Sequence, residues 1–255
     1  MLSKPKIKLI KSLSLKKYRD ESGLFIAEGS KLVLDLMPKQ ECAVVLATSD
    51  WLKKNVEFVK ADEIIEITDN ELSKISNQKT PQGVLALFKK PNYTYNIDAI
   101  SEQLSLALDD VQDPGNLGTI VRIADWFGIR DLFCSFHSAD VYSPKTVQAT
   151  MGALARVRVH YVNLAEFLQK CNQSNIAVYG TFMDGENIYT EKYLSEKGII
   201  VMGNEGNGIS PEIEKYISKR LLIPNFPQGE ATSESLNVGI ATALVCAEFR
   251  RRQSK

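Results

Sequence analysis

The chain has 255 residues, 44% of them hydrophobic and 24% charged, with Lys+Arg and Asp+Glu balanced at 31 each. That is the make-up of a globular protein with a sizeable core, and a formal charge of zero argues against holding nucleic acid through bulk charge alone. No apolar run approaches the roughly 20 residues that span a bilayer, and the start lacks a secretory signal, so a cytoplasmic protein with no membrane role is expected.

In chain order, residues 1–19 carry Lys4, Lys6, Lys8, Lys11, Lys16, Lys17 and Arg19 without an acid among them, and the far end closes on Arg250, Arg251, Arg252 and Lys255. Such ends are either solvated faces or contacts to a phosphate backbone, and charge alone leaves both readings open. Helical patterns at 30–37 and 70–75, with apolar strand-like runs at 41–48 and 83–88, describe a small α/β module. Turn residues at 91–98 break the periodicity, which places a linker near 90–103 and domains at 1–95 and 104–255. Beyond it, strand-like runs recur at 104–111, 131–136, 156–162, 176–182, 198–203 and 220–224. Helical segments separate most of them, so a parallel sheet with crossover helices is predicted. The four cysteines have no C-x-x-C spacing and read as buried thiols. The two histidines lack partners at ligand spacing, so neither a zinc site nor a histidine-based triad is expected.

Three segments follow strands, where ligands collect in open α/β sheets. In the first, Asp113-Pro114-Gly115 is a tight turn and Asn116 is typed to cap a helix starting at Leu117. Arg122 then falls in an otherwise apolar stretch, which suits a structural ion pair as well as a functional cation. In the second, Gly203, Gly206 and Gly208 surround Glu205, and Ser210-Pro211 is a good helix start. The spacing is neither a dinucleotide fingerprint nor a Walker loop, and a carboxylate there would repel phosphate. The third runs from Ile223 to Gly239 into an apolar helix, with Ser235 and Asn237 at its head, where backbone N–H groups face the cleft.

Together, DDVQDPGNLGTIVRIADWFGI (109–129), IIVMGNEGNGIS (199–210) and IPNFPQGEATSESLNVGIATA (223–243) resemble the three motifs of the SpoU family of RNA ribose 2′-O-methyltransferases, within the SPOUT superfamily. SPKTVQATMGALARVRV (143–159) and VYGTFMDGENIY (178–189) resemble its connecting segments. GLFIAEGSKLVLDLM (23–37) and TPQGVLALF (80–88) resemble its N-terminal substrate-binding module, so the likeness covers nearly the whole chain. One departure is that 225–234 is longer than the family pattern.

The resemblance implies an α/β fold, its parallel sheet closed by a C-terminal deep trefoil knot and preceded by a small α/β RNA-binding domain. It also implies a homodimer with its active site near the subunit interface. S-adenosylmethionine would be the donor, held largely by backbone at Thr181, Phe182, Gly203, Ile223 and Leu236, and the acceptor a ribose 2′-hydroxyl of ribosomal or transfer RNA, the former slightly preferred. Arg122 would handle that hydroxyl, Asn116 orient Arg122 and the ribose, Glu205 fix the second loop, and Ser235 with Asn237 shape the donor and acceptor sites, without a metal. A catalytically silent RNA-binding protein on the same scaffold is the alternative, against which the complete residue set speaks. A nicotinamide enzyme would want G-x-G-x-x-G after the first strand, where this chain has Asp-Pro-Gly-Asn-Leu-Gly.

Overall fold

The computed structural model describes residues 2–227 and 235–252, in two units: 2–92 with 140–156, and 93–139 with 157–252. The first unit contains α1 (Lys4–Ser12), α2 (Lys16–Ser22), β1 (Leu24–Glu28), α3 (Ser30–Leu36), β2 (Cys42–Ala47), α4 (Ser49–Asn55), β3 (Glu63–Glu66), α5 (Asp69–Ile75) and β4 (Val84–Lys89). Its sheet has the order β1-β4-β2-β3, with β3 parallel to β2 and the other pairs antiparallel. Phe25, Leu46, Leu85 and Leu87 are fully buried there, which is why runs without alternation make these strands. β1 and β3 escape the sequence reading, β1 because a short apolar run cannot be told from helix, and β3 because it is a four-residue, largely exposed edge.

A later stretch of chain belongs to this same unit. Residues 140–156 carry α8 (Pro144–Ala149), reached after the second unit's α6 (Ile97–Ser101), β5 (Leu104–Leu108), α7 (Pro114–Trp126) and β6 (Asp131–Ser135). Arg19, 2% exposed, anchors the stretch: its Nη2 lies 2.6 Å from the Asp140 carboxylate, while Nη1 donates to the carbonyls of Leu13 and Ser14. A buried cation with its donors filled in this way is tolerated. Gly152, at φ +91°, presses on Asp35 so closely that a Cβ would lie 2.8 Å from the Asp35 Cβ.

The second unit continues with β7 (Arg158–Val162), α9 (Leu164–Gln173), β8 (Val178–Asn187), β9 (Gly198–Met202), α10 (Pro211–Glu214), β10 (Lys219–Leu222) and α11 (Val238–Arg251). Its six strands are all parallel in the order β10-β8-β9-β5-β6-β7, as the recurring apolar runs predict. The central β5 and β9 are buried along their whole length, since helices cover both faces of such sheets. At the N-terminal edge of the sheet, Asp131 accepts from His160 Nε2 (2.8 Å), Arg158 Nε (2.8 Å) and Gln103 Nε2 (2.7 Å). Burial pushes its pKa up, but these bonds outweigh it and hold the carboxyl at about 2.

All four cysteines are buried and free. The C-terminal arginines are engaged within the second unit. Arg250 Nε donates to the Phe127 carbonyl, Arg251 pairs with Glu248, and Arg252 bonds Glu248 and the carbonyls of Ile188, Tyr189 and Glu191.

Candidate active site

Because the strands of the second sheet are parallel, the turns after β5, β9 and β10 emerge at one edge. After β5, the buried Asp109 carboxylate accepts the Ser210 N–H at 2.7 Å. Asp110 takes a left-handed backbone (φ +59°), gives its N–H to Ser135 Oγ at 3.0 Å and accepts from Asn204 Nδ2 at 2.7 Å. Asp113, not Asn116, caps α7: its Oδ1 accepts the Asn116 N–H at 2.8 Å, with Pro114 at the first helical position. The acid three residues earlier, just before the proline, suits the cap better than a residue already inside the first turn.

Relieved of capping, the Asn116 side chain turns to the other two segments. Its Nδ2 donates to Glu205 Oε1 at 3.0 Å, and its Oδ1 accepts from Asn237 Nδ2 at 2.9 Å. Asn237 in turn caps α11, its Oδ1 accepting from Gly239 N (3.0 Å) and Ile240 N (3.3 Å). Glu205, Asn116 and Asn237, one from each segment, thus form a directional hydrogen-bonded line.

Glu205 is positioned by a tight turn. The N–H and carbonyl of Asn204 and Gly208 pair with each other at 2.9 and 3.0 Å, and Asn204 Oδ1 accepts from the N–H groups of Gly206 and Asn207. Gly203 has no room for a side chain, because a Cβ would overlap the Gly208–Ile209 backbone. Besides Asn116, Glu205 accepts the N–H groups of Gln112 (3.4 Å) and Asp113 (3.3 Å). Partial burial works to raise its pKa, yet these bonds to the ionised form prevail and hold it below the usual value. The carboxylate thus accepts three N–H groups from the first segment.

Arg122 stands on the exposed face of α7 with Thr119 and Trp126, and no hydrogen bond or ion pair engages it among the described residues. The ion pair that its apolar sequence context allowed is absent among those residues, and the cation faces outward. Thr181 Oγ1 lies 3.9 Å from Met202 Sδ, Ile223 is half-buried, and Ser235 and Leu236 are exposed beside Asn237. The lengthened stretch singled out at 225–234 lies outside the described residues from 228 onward.

Three residues that the sequence reading passed over help to build the site: Asp109, Asp113 and Asn204. Asp113 carried a signal, an acid directly before Pro114. The other two act through bonds to chain about a hundred residues away, 101 for Asp109–Ser210 and 94 for Asn204–Asp110, which no local pattern marks.

The model of the SpoU rRNA Methylase family matches residues 103–247, and that of the MRM3-like substrate binding domain matches 4–86. Among curated proteins, the chain is 27% identical to the 23S rRNA (guanosine(2553)-2′-O)-methyltransferase RlmP of Bacillus subtilis, over 96% of each chain. Among solved structures it is similar to a putative RNA methyltransferase of the TrmH family from Porphyromonas gingivalis, with a TM-score of 0.90 and 42% identity over 99% of each chain. An AdoMet-bound rRNA methyltransferase from Sinorhizobium meliloti gives a TM-score of 0.85 and 30% identity, over 99% of this chain and 96% of that one.

Proposed function

This chain belongs to the SpoU rRNA methylase family, and on that premise we propose that it methylates a ribose 2′-hydroxyl of structured RNA, ribosomal in preference to transfer RNA, in the cytoplasm. It is an S-adenosylmethionine-dependent RNA ribose 2′-O-methyltransferase. The observation that carries the finer reading is the line from Glu205 through Asn116 to Asn237, which gathers all three motifs at one sheet edge. The preference for ribosomal RNA draws on the substrate-binding module and on relatives named for 23S rRNA.

The residues fit the donor. Gly203 lets the second turn fold back tightly on its own Gly208–Ile209 backbone, and Thr181, Ile223 and Leu236 stand partly or fully exposed to receive a ligand. When bound, S-adenosylmethionine supplies a methyl group on a positively charged sulfur. What remains for the protein is chiefly alignment, which supplies roughly 7–11 kcal/mol in well-oriented reactions. Arg122, always protonated, serves as clamp and electrostatic stabiliser for the 2′-hydroxyl, and an RNA phosphate shares the departing proton. Asn116 spends its amide on Glu205 and Asn237, so its part is to hold the loops together beside the ribose. Ser235 and Leu236 line the mouth of the site.

Two further parts of the reading have support in the fold. A C-terminal trefoil knot is favoured by the strand order, with the last strand β10 at the sheet edge and α11 returning to pack on α7. A homodimer is favoured by the apolar groups that α7 and α11 leave exposed: Trp126 (85%), Ile240 (54%) and Leu244 (37%). Arg122 shares the α7 face of Trp126, so a second copy seated there would lie beside the reacting sugar. On the first unit, Lys4, Lys8 and Lys11 form an exposed stripe along α1 suited to phosphate.

The decisive experiment is transfer of labelled methyl groups from S-adenosylmethionine to total RNA of a strain lacking this protein, followed by mapping of the product. Label on one ribose of ribosomal RNA is expected. Label on a base would overturn the reaction, and label on transfer RNA would overturn the substrate class.

A further inference from the structure

On β10, one guanidinium gathers three segments of chain. The Arg220 guanidinium carbon lies 3.6 Å from the centroid of the Phe182 ring, and its two terminal nitrogens pair with Asp184 and Glu214. Asp184 belongs to an excursion of β8: Arg220 registers with Gly180 and Leu221 with Glu186, so 181–185 leave the ladder between them. Gly185 brings that excursion back so close to β10 that a Cβ would lie 2.6 Å from the Leu221 carbonyl carbon. The Phe182 ring sits over Gly180, where a Cβ would be 2.7 Å from Phe182 Cε2, and packs against the buried cluster of Ile209 and Ile213. Glu214 ends α10, the helix that opens right after the Gly203–Gly208 turn.

We propose that Arg220 is a positioning residue for the methyl donor. It ties together the 181–185 excursion, the second glycine turn through α10, and the strand that delivers Ile223. This rests on the reading of Thr181, Phe182, Gly203 and Ile223 as donor contacts. The two ion pairs are open to water, with Asp184 75% and Glu214 45% exposed, and such pairs contribute little each. The flat stack on Phe182 is the stronger element, and only arginine can stack while bonding on two sides. A lysine keeps the charge and one pair but loses the plane.

The test compares the full-length wild type with Arg220→Lys and Arg220→Gln. Calorimetry measures S-adenosylmethionine binding, steady-state methyl transfer is run with donor varied, and hydrogen exchange follows the amides of 181–185. In Arg220→Gln, donor Kd and KM rise about tenfold, equivalent to ~1.4 kcal/mol, while kcat at saturating donor stays within about twofold. Arg220→Lys falls between this variant and the wild type. Donor affinity unchanged in both variants, or kcat lost at unchanged KM, overturns the proposal. If Arg220→Gln does not fold, the same split in Arg220→Lys decides. The exchange data separate the two ideas: a wild type that binds donor without new protection at 181–185 refutes the pocket itself. Protection there together with unaltered affinity in the variants refutes only the role of Arg220.

Discussion

Replacing Asn116 with aspartate tests the line of three residues most directly, because it changes almost nothing but charge. The Asn116 amide nitrogen stands 3.0 Å from Glu205 Oε1, and in Asn116→Asp an oxygen of nearly the same position takes its place. Two charges at about 3 Å repel by ~5 kcal/mol at an effective dielectric of 20. The pair can avoid this by binding one proton, at a cost of about 3–4 kcal/mol at pH 7 for a carboxyl of ordinary pKa. The cheaper route sets the penalty, so the docked arrangement of the three turns should lose about 3–4 kcal/mol at pH 7. The sign follows from the raised pKa of the pair. The shared proton is bound in the folded state well above the unfolded value, so the variant recovers as pH falls and worsens as pH rises. Urea unfolding and methyl transfer should be measured together at pH 5.5, 7 and 8.5. The deficit relative to wild type should shrink by about 1.4 kcal/mol, or tenfold in rate, per pH unit below 7. Wild-type activity at pH 8.5, or a deficit independent of pH, would mean that the two side chains do not face each other as described.

Other expectations are as direct. Arg122→Lys should lose most of its turnover at neutral pH with donor affinity intact, since an ammonium cannot reproduce the planar clamp. A variant that keeps most of its turnover rules out that role. Asp131→Asn should cost on the order of 2 kcal/mol of stability at pH 7, because the wild-type carboxyl is held at about 2. That depressed pKa gives stability that is present above pH 4 and lost as pH falls towards 2, so the two proteins should converge on acid titration followed by circular dichroism. For the proposed homodimer, Trp126→Glu should shift the sedimentation coefficient towards that of a monomer, and a coefficient equal to the wild type's would count against an interface on this face.

Much of the second unit was legible in the sequence. Buried parallel strands need continuous apolar runs, and those runs stand at 104–108, 131–135 and 198–202 without reference to anything distant. Pro211 also opens α10 as its type demands, while Ser210 takes the cap position without a side-chain capping bond. The cap of α7 was misplaced by three residues because Asn116 and Asp113 are both good caps. Local chemistry ranks them only once Pro114 is given its due. The basic ends had two readings by charge, and Arg250, Arg251 and Arg252 turn out to bond carbonyls and carboxylates of their own unit.

A few neighbouring residues are thus enough to decide strands from apolar runs, turns from glycine and proline, and helix starts from caps. Tertiary structure alone decided the partners. Asn116 meets Asn237 across 121 residues of chain, Asp109 meets Ser210 across 101, and Arg19 meets Asp140 across 121. The physical reason is the range of the forces involved. Backbone preference acts over a turn or two, whereas a half-buried carboxylate such as Glu205 takes whichever N–H groups the packed fold delivers to it.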